Sequence, residues 1–161
     1  MLRDPRDVLT SYYFHHAYDP YCNPAQQEYI NNRNKKALEK TVDEWVLEKT
    51  PMFKDRYKEY LDKFYGKPNV LFVKYEDMVS DFDKWLSGIE GFMNLSPGSK
   101  ILESIRKQAN FSVNKEDVKS HKRQVTPGDH VRKLKEDTII ILNAEFGEIL
   151  ARLDYKIDGI V

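Results

Sequence analysis

The sequence predicts an α/β domain, a parallel sheet flanked by helices. Its 161 residues carry mostly the helical C-terminal part and few strands of it. Three observations predict this. The run Val70-Leu71-Phe72-Val73 is continuously apolar and of strand length, which suits a strand covered on both faces. Met1-Leu2 runs straight into a capped helix, as the tail of a buried strand would. Most of the remaining chain shows apolar residues at helical spacing.

The elements follow in order. Asp4 can N-cap a helix over Asp4 to Tyr18, Pro5 suits its first position, and Asp7 completes a capping-box-like pattern. The segment Asp19 to Lys36 is polar and turn-rich and reads as a loop with short helical pieces. Two amphipathic helices are expected at Thr41–Glu48 and Met52–Phe64, with Pro51 between them. Gly66 to Asn69 make a break before the apolar run. Helices are expected again at Asp81–Met93, Pro97–Ala109 and Glu136–Leu153, with a polar, loop-rich stretch over Asn110 to Arg132. A lone strand buried on both faces would leave backbone groups unpaired at roughly 1–3 kcal/mol each. About six such residues would exceed the ~5–15 kcal/mol stability of a domain. Val70–Val73 therefore calls for neighbouring strands, and the expectation is one incomplete domain over residues 1–161, completed by an N-terminal half or by self-association. The same run read as a buried helical turn or an extended loop needs no such partner.

Charge and composition narrow the function classes. Twenty-six basic residues balance 26 acidic ones, so net charge gives no attraction to nucleic acid or to an anionic membrane. Cys22 is the only cysteine, so no intrachain disulfide can form and no cysteine-based zinc site is visible. No apolar run approaches the ~18 residues of a membrane span, and no leader is evident at Met1, so a cytoplasmic location is expected.

Two strand ends carry chemistry. Ligands of open parallel sheets bind beyond the carboxyl ends of strands. Arg3 stands at one such end, just before a helix N-terminus, and Tyr75 at the other. An arginine, a helix N-terminus and the nearby hydroxyl of Ser11 together favour a phosphate. In the plain alternative, Arg3 pairs with an acidic neighbour and Ser11 is a small packing residue.

The stretch "LRDPRDVLTSYYFHH" resembles the 3′-phosphate-binding motif of the PAPS-dependent sulfotransferase family, with an Arg and a Ser eight residues later. "VLFVKYEDMVSDFDKWLSGIEGFM" is similar to that family's block in which a strand ends in Tyr-Glu-Asp. "ANFSVNK", "HKRQVTPGDH" and "ILARLDY" are similar to its later segments. The resemblance implies a P-loop-like parallel sheet, PAPS or its product PAP as cofactor, and a hydroxyl or amine acceptor on a small molecule or carbohydrate. It implies Arg3 and Ser11 on the 3′-phosphate, Tyr75 and Phe111 against the adenine, and Arg123 closing over the 3′-phosphate. Gln124-Val125 stand where the family has Lys-Gly, with Lys122 beside them in partial compensation of charge, and His130 stands where it commonly has Trp. The family's phosphosulfate-binding loop and catalytic His have no counterpart here, so no catalytic residue is assigned and the isolated chain is expected to be inactive. His15, His16, His121 and His130 read as packing or loop residues rather than metal ligands. The competing expectation is a helical protein-interaction module without nucleotide binding.

Overall fold

The computed structural model describes residues 1–18, 24–95, 100–109, 116–118 and 125–157. Eight α-helices are seen among them: α1 (Pro5–Tyr18), α2 (Gln27–Leu38), α3 (Val42–Phe64), α4 (Tyr75–Ser80), α5 (Phe82–Phe92), α6 (Lys100–Gln108), α7 (Asp129–Lys133) and α8 (Glu136–Arg152). A single 3₁₀ turn, Pro24–Gln26, leads into α2.

The core lies between α1, α3 and α8. Leu9, Tyr13 and Ala17 of α1 meet Trp45, Val46, Phe53, Tyr57 and Leu61 of α3 and Leu142, Phe146, Ile149 and Leu150 of α8. The α8 stripe is the one its 3.6-residue period predicts. α3 departs from expectation, since the two helices expected on either side of Pro51 form one 23-residue helix. An interior proline costs about 3 kcal/mol. Burial of Trp45 and Val46 before it and of Phe53, Tyr57 and Leu61 after it offsets that cost only if the axis runs on unbroken. The start of α3 is set locally. Thr41 Oγ1 accepts from the Glu44 amide at 3.2 Å, and Glu44 accepts from the Thr41 amide at 2.8 Å. α2 replaces the expected loop over its residues. It buries only Ile30 and Ala37, seven apart on one face, so packing on α1 rather than a visible apolar stripe makes it a helix.

The expected P-loop-like parallel sheet is not there. No strand forms among the described residues, and the one β contact is an isolated parallel bridge between Leu2 and Lys74. Leu2 donates to Val73 O and accepts from the Tyr75 amide, both at 2.8 Å. The expectation failed at its premise of two-sided burial. Leu71 is 38% exposed, and Val70, Phe72 and Val73 are only partly buried, so the run is not enclosed on both faces and a ladder is not required. The α/β assignment is corrected to a helical fold held at one point by an extended pair.

Polar groups close the N-terminus of α1. Arg6 is 1% exposed and binds Asp4 through two nitrogens, at 3.0 and 2.6 Å. It also donates to Asn143 Oδ1 of α8 at 2.6 Å and to Lys156 O at 2.8 Å. None of the described helices is long and apolar enough to cross a membrane.

Phe146 is fully buried, whereas Ile140, on the opposite face of α8, is 52% exposed. Phe146→Ala should cost about 3–5 kcal/mol in urea denaturation. Ile140→Ala should change stability by no more than about 0.5 kcal/mol, and equal losses at the two positions would mean that α8 does not pack as described.

Candidate functional site

The Leu2–Lys74 bridge brings two candidate residues together. Arg3 follows one side of the bridge and Tyr75 the other, so both emerge at the same end. The Arg3 guanidinium lies 4.6 Å from the centre of the Tyr75 ring, a cation–π distance. Neighbours fix the backbone of this corner. Tyr57 of α3 donates its hydroxyl to Arg3 O at 2.6 Å. The Asp4 amide donates to Glu76 at 3.0 Å, and the second Glu76 oxygen accepts from the Tyr155 hydroxyl at 2.9 Å.

Arg3 and Tyr75 line a cavity of about 480 Å³ together with Leu2, Arg56, Tyr57 and Tyr60. Arg3 makes one charged contact, from Nη2 to Asp7 Oδ2 at 3.3 Å. Its Nε is buried and has no hydrogen-bond partner among the described residues. Leaving a buried charged donor unpaired costs about 1–3 kcal/mol or more. Arg3 lines the cavity as a cation with donor capacity unused, so the residues present fit a phosphate-like group. The Trp85 indole nitrogen is likewise buried without a partner, and Trp85 lines a separate cavity of about 330 Å³ with Phe72 and Gly88.

Tyr75 is a neutral phenol at physiological pH. Burial raises its pKa above the usual 10.0, the Arg3 charge opposes the rise, and Glu76 and Asp7 add to it. Its hydroxyl donates to Val125 O at 3.1 Å. That bond reaches the turn before α7, whose Gly128 has φ +78°, a left-handed conformation that glycine adopts without strain. Asp7 reaches the same turn. Rather than closing a capping box on Asp4, it accepts from the Gly128 amide at 2.8 Å and the His130 amide at 2.9 Å. Burial works against the Asp7 charge, but the His130 bonds, the His130 charge and Arg3 outweigh it and hold the carboxyl far below its ordinary value.

Of the residues predicted from the sequence, the structure brings Arg3 and Tyr75 into one cavity. Ser11 is half-buried on α1, one turn beyond Asp7, and is not part of that cavity lining. Phe111 and Arg123 lie outside the described residues. Arg56 carries no sequence signal for a site, Tyr57 reads from the sequence only as part of the apolar side of its helix, and Asp7 only as a helix cap. His16 is half-buried against Tyr12, with ring centres 4.1 Å apart, and Trp45 at 5.4 Å. His15 is exposed. No group of three or more metal-ligating side chains occurs among the described residues.

Burial first, then the charges of Arg33, His15 and Lys49, lower the His16 pKa from 6.5 to about 4. The unfolded chain therefore binds more protons than the folded one between those values. Stability from this group is present in full above about pH 6.5 and falls as pH drops toward 4. A denaturation series across that window should show this slope, and His16→Phe should flatten it. An unchanged slope in the variant would exclude His16 as its source.

A family model described as the sulfotransferase domain matches residues 1–137. The matched span takes in the Arg3–Tyr75 corner and the turn before α7, and it ends at the second residue of α8. No curated protein and no solved structure matches the chain. With a match over most of its length, and with the arginine and tyrosine of its two similar motifs meeting at one cavity, the chain belongs to the sulfotransferase domain family.

Proposed function

We propose that this chain recognises the nucleotide end of PAPS in a sulfotransferase that moves a sulfuryl group to a hydroxyl or amine of a small-molecule or carbohydrate acceptor. The observation that carries this reading is the Arg3 guanidinium, stacked on Tyr75 in the lining of one cavity, with a buried Nε that has no hydrogen-bond partner among the described residues. A 3′-phosphate supplies the charged acceptor which that nitrogen lacks. PAPS, when bound, supplies the activated sulfuryl group, and this chain's residues hold the nucleotide. Arg3 carries the charge for the 3′-phosphate, and the family resemblance adds Ser11, outside that cavity lining, and Arg123, outside the described residues, as further donors. Tyr75 and Phe111 supply aromatic surface for the adenine. The Val125 bond fixes the orientation of the Tyr75 ring before any ligand arrives, which lowers the cost of ordering it. The cradle for the 5′ side and the proton-accepting His have no counterpart among these residues. In this reading a further segment or a second polypeptide supplies both, and the acceptor is bound there.

A second reading has one observation in its favour. Tyr60 and Phe64 of α3 are exposed, with ring centres 5.8 Å apart, and Tyr65 beside them is exposed too. A helical interaction module would use such a surface.

Calorimetric titration with adenosine 3′,5′-bisphosphate separates the two readings. Saturable binding is expected, with a clear preference over adenosine 5′-phosphate. Arg3→Ala should weaken it by roughly 1.5–3 kcal/mol, the worth of a charged hydrogen bond. Absence of binding at millimolar ligand, or an alanine variant that binds as well as the parent, would overturn the nucleotide reading.

A further inference from the structure

Arg3 does not aim itself. Its guanidinium is held between two groups, the Tyr75 ring on its face and one oxygen of Asp7 at Nη2. That oxygen, Oδ2, also accepts from the Gly128 amide. The other, Oδ1, accepts from the His130 amide at 2.9 Å and bonds to His130 Nδ1 at 2.6 Å. A carboxylate only accepts, so His130 Nδ1 carries the proton. Asp7 is fully buried and is not part of the cavity lining, so it stands behind Arg3 and cannot meet a ligand directly.

We infer that Asp7 is the positioning residue of this site, one carboxylate that sets the aim of Arg3 and clamps the Gly128–His130 turn to it. The inference rests on the nucleotide reading above and adds a residue to it. The geometry makes arginine and turn a single unit. Releasing the Asp7 charge frees the Arg3 guanidinium on one side and removes the acceptor for three donors of the turn on the other. The turn is tied to the second ligand residue as well, because Val125 O accepts from the Tyr75 hydroxyl. His130 supplies two of the four donors to Asp7, its amide and Nδ1, beside Arg3 Nη2 and the Gly128 amide. Residues that carry the ligand and residues that carry the turn therefore move together. A carboxylate behind the arginine also tempers its charge, so a phosphate is favoured by directed donors and not by net charge alone. Asp7 is thus expected to matter for discrimination between nucleotides with and without a 3′-phosphate more than for affinity in general.

The test compares dissociation constants of the full chain for adenosine 3′,5′-bisphosphate and adenosine 5′-phosphate, in the parent and in Asp7→Asn, with circular dichroism to establish folding. The ratio of the two constants should fall at least tenfold in Asp7→Asn. Amide exchange over residues 125–131 should slow when the bisphosphate binds the parent, and should slow much less in the variant. A folded Asp7→Asn that keeps the parent ratio overturns the inference. So does an equal loss for both ligands, which is what a purely structural role would produce. If Asp7→Asn does not fold, Gly128→Ala takes its place. It keeps the carboxylate and strains the turn, and it must lower the ratio for the inference to stand. A parent chain that does not discriminate between the two ligands defeats the nucleotide reading itself, and the inference with it.

Discussion

Three charged side chains within one turn of chain are buried at the start of α1, and the molecule is organised around satisfying them. Asp4, Arg6 and Asp7 are each under one-tenth exposed. Burying an ion costs several kcal/mol, and only paired, well-directed partners recover it. The charges pair within the segment, Arg6 with Asp4 and Asp7 with Arg3, and the remaining hydrogen bonds of the three residues reach distant parts of the chain. Arg6 takes Asp4, Asn143 and the backbone at Lys156. Asp7 takes Arg3, Gly128 of the turn before α7 and His130 of α7 itself. The amide of Asp4 takes Glu76, which in turn holds Tyr155. The first turn of α1 therefore joins the N-terminal segment, the α4 region, the start of α7, α8 and the segment after α8 at one place.

That arrangement makes folding and site-building the same event. The cavity wall is the outer surface of the buried polar cluster, with Arg3 facing the cavity and Asp7 behind it. A ligand site on a surface loop would need separate support to hold its geometry. Here the support is the helix N-terminus itself, packed on α3 through Leu9 and Tyr13. The Tyr57 hydroxyl fixes Arg3 O from the α3 side. Rigidity of this kind suits recognition of a compact anion, because directed donors lose little entropy when they bind.

The Leu2–Lys74 bridge carries a second role. It contributes little as secondary structure, since one bridge is not a sheet. Its value is positional, because it sets Arg3 and Tyr75 in register, and a slip of one residue would turn both side chains to the opposite face. The incomplete burial of Val70–Val73 is consistent with a single bridge, since a segment open to solvent does not need a ladder.

What the sequence alone determined is whatever depends on near neighbours. The cap and first position of α1 and the apolar stripe of α8 are written within a few residues, and residue type at the helix start and helical periodicity read them directly. The motifs around Arg3 and Tyr75 were legible as residue spacings too. Tertiary structure decided whatever depends on distant partners. It made α2 a helix, carried α3 through Pro51, and replaced an expected sheet by one bridge, because burial is a property of the packed chain and not of a window of it. It also gave Asp7 a partner 123 residues away. A charge in a sequence states that it needs a counterpart, but only the folded chain, where desolvation forces the choice, states which one.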